Sequence, residues 1–170
     1  DDAFRHDGQI TKADVRAITL AALGPRPGER LWDVGAGSGA IAIEWCRAAD
    51  GAVATAFERD PARAETARAN AARLGATGVT VVPGEARETL AATRERPEAV
   101  FLGGAVADEA VFAAAWEALA PGGRLVSNAV TLAGEAASIA RRDRHGGTLR
   151  RIAIEIAEPV GGRLAFRPRM

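Results

Sequence analysis

Residues 31–45 read LWDVGAGSGAIAIEW. An apolar run stops at Val34, a triple-glycine turn follows, and an apolar-periodic segment leaves the far side. This is the pattern of a buried strand that delivers a glycine-rich loop into the N-terminus of a helix. Gly35, Gly37 and Gly39 allow a tight turn in which backbone lies directly against a ligand, because no Cβ intervenes. The first turn of the helix then offers unpaired N–H groups and a partial positive charge to a carboxylate or phosphate. The stretch predicts a nucleotide-cofactor site.

Upstream, residues 1–10 are polar and glycine-containing, which predicts a loop. Thr11-Lys12-Ala13-Asp14 fits a capping box ahead of the apolar positions Val15, Ile18, Leu20 and Leu23. That helix is expected to stop at Gly24-Pro25. Downstream, residues 52–58 (AVATAFE) form a short apolar run ending on Glu58. Asp60-Pro61 supplies a cap and a first-turn proline for a long alanine-rich helix closed by Gly75. A third strand is expected over 79–82, followed by Pro83-Gly84-Glu85-Ala86 and a short helix, and a fourth over 99–102, ending at Gly103-Gly104. Residues 108–119 are amphipathic and helical, and Pro121-Gly122-Gly123 turns into a fifth strand over 124–130. A helix over about 135–144 follows, closed by Gly146-Gly147. Residues 149–157 and 163–166 are strand-like and joined by Gly161-Gly162, which predicts an antiparallel hairpin.

Strands that are apolar on both faces and alternate with helices imply a parallel sheet covered on both sides. Right-handed crossovers make it doubly wound, with ligands at the carboxyl ends of the strands. The expected fold is α/β: a mostly parallel, Rossmann-like sheet of seven strands, the last two forming the hairpin. One domain is expected over 1–170, with a leading loop and helix over 1–29, a parallel core over 30–147 and the hairpin over 148–170.

Composition is 48% hydrophobic and 26% charged, so the chain is globular rather than disordered. The 22 basic and 22 acidic residues cancel, which argues against a broad footprint for DNA or RNA. Lys12 is the sole lysine. Cys46 stands alone with no histidine near it in sequence, which predicts a core thiol and no metal-ligand spacing. No stretch approaches the roughly 18 apolar residues of a membrane span, and the N-terminus lacks a signal-peptide core. A cytoplasmic location is expected, and the missing initiator Met suggests an excised domain.

The glycine pattern alone leaves two cofactors open. Gly35-Ala36-Gly37-Ser38-Gly39-Ala40 satisfies a dinucleotide G-x-G-x-x-A form, with Glu58 about twenty residues on for ribose hydroxyls. Three features favour S-adenosylmethionine over NAD. Asp33 precedes the glycines, and a carboxylate there suits the cofactor's ammonium, directly or through water. Pro121-Gly122-Gly123 before a strand and a closing hairpin resemble class I methyltransferases. Nor is a second domain to carry a hydride acceptor expected within these residues. Glu58 would accept two hydrogen bonds from the ribose diol, and the Gly84-Glu85-Ala86 turn lies where the adenine edge would be read. Gly103 follows another strand end and completes the set.

A more specific resemblance lies in Phe4-Arg5-His6-Asp7-Gly8-Gln9-Ile10-Thr11-Lys12, running on to Val15-Arg16. With residues 34–44 (VGAGSGAIAIE), 100–104 (VFLGG) and 119–132 (LAPGGRLVSNAVTL), it resembles the decarboxylating precorrin methyltransferases of cobalamin biosynthesis over nearly the whole chain. The resemblance implies C15 methylation with loss of carbon dioxide from the C12 acetate, in a domain that stands alone or behind a C5-methyltransferase domain. It further implies a homotetramer, and cofactor contacts from Thr11, the 35–39 loop, Glu58 and Ala86. Two departures are Glu85, where a G-D-A turn is common, and Glu58 in place of Asp.

A polycarboxylate tetrapyrrole calls for cationic or amide donors around a wide cleft. Arg5, His6, Lys12 and Arg16 lie in or beside the leading segment, and Asn128 lies late in the expected fifth strand. Lys12, Asn128 and His6 are the substrate-side candidates. The same residues also fit plainer roles: Lys12 and Arg16 share one helix face and suit solvent, and His6 suits a loop. Beside His145, expected at the surface, three other readings stay open: a methyltransferase for another substrate, a catalytically silent cofactor-binding module, and an NAD-binding domain.

Overall fold

In the computed structural model, which describes residues 1–168, β1 (Arg30–Val34) takes the centre of the sheet because its last four residues are buried. It pairs in parallel with β2 (Val53–Glu58) on one side and β4 (Ala99–Leu102) on the other. β3 (Val79–Pro83) and β5 (Arg124–Ser127) form the edges, giving the order β3-β2-β1-β4-β5. Side chains alternate across β1. Leu31 joins Leu23, Trp45 and Phe101 on one face, while Trp32 and Val34 join Phe57, Leu90, Val111 and Phe112 on the other.

Helices α1 (Ala13–Leu23), α2 (Ala40–Ala48) and α3 (Pro61–Arg73) cover the Leu31 face; α4 (Ala86–Ala92) and α5 (Glu109–Ala118) cover the Trp32 face. α6 (Leu132–His145) lies against α5, where the Arg141 guanidinium sits 4.2 Å over the Phe112 ring. Trp32 and Phe57 meet edge to face at 5.4 Å, and Trp45 Nε1 donates to the Val53 carbonyl at 3.1 Å. Trp45 is thus buried with its ring N–H satisfied, whereas Trp32 keeps the edge-to-face contact and leaves its buried Nε1 without a hydrogen-bond partner. At the N-terminal end of the sheet, Arg124 binds Glu29 and the carbonyls of Leu23 and Gly24, fixing the end of α1 to β5.

The α/β class stands as expected, but the seven strands are not one sheet. Among the described residues, β6 (Glu155–Val160) and β7 (Arg163–Pro168) pair only with each other, antiparallel, and have no ladder to β5. Residues 148–154, expected to begin the hairpin, carry no regular structure. The end of the expected hairpin region, residues 169–170, lies outside the described residues. β5 ends at Ser127, short of Val130, because Thr131 caps α6 through its Oγ1 and starts that helix at Leu132. The capping box before α1 also fails: Lys12 occupies the N-cap, and no side chain caps the helix. No helix of the described residues is long and apolar enough to cross a membrane.

Candidate functional site

The strand order reverses between β1 and β4, and the loops leaving these two strands touch through bare backbone. A Cβ on Gly35 would lie 2.9 Å from the Gly104 nitrogen, and one on Gly103 would lie 3.1 Å from the Gly35 oxygen. Gly35 adopts φ 77°, a region costly for residues with a side chain, so both geometry and space require glycine there. Gly35 and Ala36 donate their N–H groups to the Phe57 carbonyl at 2.9 and 3.1 Å, which pins the start of the loop to β2. Gly39, also left-handed, opens α2. The result is a close, backbone-only contact between the loops after β1 and β4, at the topological switch point where doubly wound sheets bind ligands.

Two acids lie near the carboxyl ends of β1 and β2. Asp33 is 1% exposed; its Oδ2 accepts the Ala42 N–H at 3.0 Å, while Oδ1 is buried without a hydrogen-bond partner. Burial pushes the Asp33 carboxyl up to about 7; the Ala42 N–H pulls it down and the nearby Glu58 charge raises it. Glu58, at the end of β2, accepts Gly37 N–H at 2.8 Å with Oε2 and Asp60 N–H at 3.0 Å with Oε1. Its carboxylate thereby joins the middle of the glycine loop to the cap of α3. Each carboxylate oxygen retains acceptor capacity for a second donor.

The remaining cofactor-side candidates border this centre. Gly84 donates its N–H to the Glu58 carbonyl at 3.0 Å, which sets the β3 turn beside β2. Glu85 takes the N-cap position of α4 with its side chain exposed, and Ala86 begins the helix. Thr11 is half-buried, its carbonyl held by the Arg16 guanidinium. Ser38 is 5% exposed and lines a cleft of about 110 Å³ together with His6, Asp60 and Arg63.

Among the substrate-side candidates, His6 is exposed and accepts the Gly8 N–H on Nδ1 at 3.1 Å, so a neutral ring carries its proton on Nε2. Lys12 is half-buried at the N-terminus of α1. Asn128 lies just beyond β5 and donates through Nδ2 to Thr19 Oγ1 at 2.9 Å, two turns along α1 from Lys12, about 10 Å. Thus Lys12 and Asn128 are linked through one helix, whereas His6 belongs to the cleft beside α3.

The family described as the precorrin methyltransferase domain matches residues 2–170. The chain belongs to the precorrin methyltransferase domain family. It is 50% identical over 171 residues to the precorrin-6Y C(5,15)-methyltransferase [decarboxylating] of Mycobacterium tuberculosis, covering 100% of this chain and 43% of that protein. The cobalt-precorrin-6B C(15)-methyltransferase (decarboxylating) of Salmonella typhimurium is 36% identical over 118 residues, covering 69% of this chain and 60% of that one. The crystal structure of the C-terminal domain of precorrin-6Y C5,15-methyltransferase from Rhodobacter capsulatus superposes with a TM-score of 0.91 at 46% identity, covering 99% of this chain and 91% of that one. The chain therefore spans less than half the length of the M. tuberculosis relative.

In this precorrin methyltransferase domain, sequence reading missed two residues that hold the leading segment. Arg16, read as suited to a solvated face, is 4% exposed: it binds Glu44 at 2.6 Å and Asp1 at 3.1 Å, and lies 4.9 Å over the Phe4 ring. Asn70 is fully buried in the last turn of α3. The one sequence signal for it is a polar residue on the stripe Ala64, Ala67, Ala71. Cys46 behaves as a core thiol, half-buried and pushed up to about 11 by burial.

Proposed function

We propose that this chain is an S-adenosylmethionine-dependent C-methyltransferase that methylates a precorrin at C15 and couples this to loss of carbon dioxide from the C12 acetate. The observation that carries the reading is the glycine loop at the switch point, held bare against Gly103-Gly104 and tied through the Gly37 N–H to Glu58. The glycine loop suits the methionine portion, the α2 N-terminus favours its carboxylate, and the unpartnered Asp33 Oδ1 supports an ammonium nearby. Glu58 would receive the ribose diol as a charge-assisted pair, and the Glu85-Ala86 turn would border the adenine. When bound, S-adenosylmethionine supplies an electrophilic methyl group on a sulfonium centre.

The chain's own residues then have to align and neutralise the acceptor. Lys12, at the head of α1, and Arg5 would pair with peripheral carboxylates of the tetrapyrrole. Asn128 has its Nδ2 engaged by Thr19, which leaves its carbonyl oxygen as an acceptor. Loss of carbon dioxide leaves an electron pair that the conjugated macrocycle takes up, with a proton delivered to carbon. His6, with Nε2 outward of the Gly8 bond, is the residue of the leading segment suited to hold that proton.

Self-association belongs to the same reading. One face of the hairpin pairs Ala157 with Phe166 and Pro159 with Leu164, and Leu164 and Phe166 are 73% and 72% exposed. The outer edge of β5 has no strand partner among the described residues. Both support assembly with further copies into a homotetramer, and the share of the relative that is matched supports fusion behind a C5-methyltransferase domain.

Thermal unfolding with each ligand tests the cofactor assignment. A compound that binds the folded state alone raises the midpoint. S-adenosylhomocysteine is expected to raise it and NAD is not; the reverse result would contradict the reading.

A further inference from the structure

The leading segment does not lie loosely on the molecule. Phe4 is buried against Ala40, Ile43, Ala71 and Ala76, and Arg63 holds Asp7 at 2.8 Å. Arg73 donates to the Ala3 carbonyl. The segment then passes over the glycine loop: a Cβ on Gly37 would meet the Gln9 carbonyl oxygen at 3.7 Å. From there it enters α1 through Thr11 and Lys12.

Asn70 sits where this strap and the loop meet. Its Oδ1 accepts the Arg5 N–H at 2.9 Å, and its Nδ2 donates to the Arg5 carbonyl at 2.9 Å and the Ser38 carbonyl at 3.0 Å. The amide thus spends both donors and an acceptor on backbone from two separate segments, with no exposure to water. Asparagine is a mediocre helix former, so its place in the last turn of α3, fully buried, is not explained by propensity. One residue back along the loop from Ser38, Gly37 donates to Glu58. A continuous path therefore runs from the ribose-side carboxylate through the loop and Asn70 to the backbone beside His6.

We propose that Asn70 is a positioning residue that makes the leading segment and the glycine loop one unit, so that cofactor on the loop fixes the segment bearing His6, Thr11 and Lys12. This rests on the cofactor reading above. A merely structural Asn70 would cost stability everywhere alike. A clasp has a directional consequence: without it the loop still takes cofactor, but the segment no longer responds.

The test is amide hydrogen exchange of residues 3–12 with and without S-adenosylhomocysteine, in the wild-type chain, in Asn70→Ala and in Leu90→Ala. Leu90 is buried on the opposite face of the sheet, so its truncation lowers stability without touching the clasp. In the wild type and in Leu90→Ala, ligand is expected to slow exchange of the segment by about tenfold, within the usual span of coupling between sites. In Asn70→Ala the ligand should still raise the unfolding midpoint, while the slowing nearly vanishes and KM for the tetrapyrrole rises more than kcat falls. Full ligand-induced slowing in Asn70→Ala overturns the proposal, as does equal loss of slowing in Leu90→Ala. If the ligand fails to stabilise even the wild type, the cofactor assignment itself falls, and this role with it.

Discussion

At Asp33 the site and the stability of the fold pull against each other. Its carboxyl titrates near 7 in the folded chain, against 3.8 for an unperturbed group, chiefly because burial disfavours the charge. Between these values the folded state keeps a proton that the unfolded state has lost, so stability falls as pH rises from about 4 to about 7 and then levels off. Asp33→Asn removes this titration, and its unfolding midpoint should gain on the wild type between pH 5 and pH 8, measured by calorimetry at both. A gain independent of pH would show that Asp33 carries no raised titration. Glu58→Ala acts on the other acid: it strips the acceptor from Gly37 and Asp60 and, on the proposed reading, from the ribose. Affinity for S-adenosylhomocysteine, read by titration calorimetry, should fall about 10- to 100-fold, equivalent to lost hydrogen bonds to a charged group. The glycine turn and the acids at the strand ends were legible in sequence, since they are local signals. Asn70 and Arg16 were not, because their partners lie 65 and 28 residues away.

The helices show which local signals are strong enough to set a boundary. Asp60 accepts the N–H groups of Ala62 and Arg63, and Pro61 follows it in the first turn, so α3 starts where its sequence says. Asp60→Ala should cost about 1 kcal/mol of stability, a midpoint lower by about 2–4 °C in a chain of this size, measured by thermal unfolding. The capping box at Thr11 did not form: the Thr11 carbonyl is taken by Arg16, and Lys12 occupies the cap position. At α6 an unread cap, Thr131, starts the helix early, and β5 ends at Ser127. Short-range patterns thus set each element's kind, and the caps that formed set its ends.

For the molecule as a whole, the strand order and the buried centre follow from apolar runs punctuated by glycine and proline, so the α/β class was readable at once. The hairpin's position was not, because alternation within two strands says nothing of which edge they join. Its exposed apolar face predicts that Phe166→Glu splits the proposed homotetramer, read by light scattering, while circular dichroism of the sheet and helices stays unchanged. An unaltered mass would count against a hairpin interface. The domain is proposed to methylate and decarboxylate a precorrin. The most direct test incubates the chain with labelled S-adenosylmethionine and a C5-methylated precorrin that retains its C12 acetate, and follows product mass. One methyl gained with one carbon dioxide lost is the predicted result; an unchanged substrate mass with the cofactor demonstrably bound would contradict it.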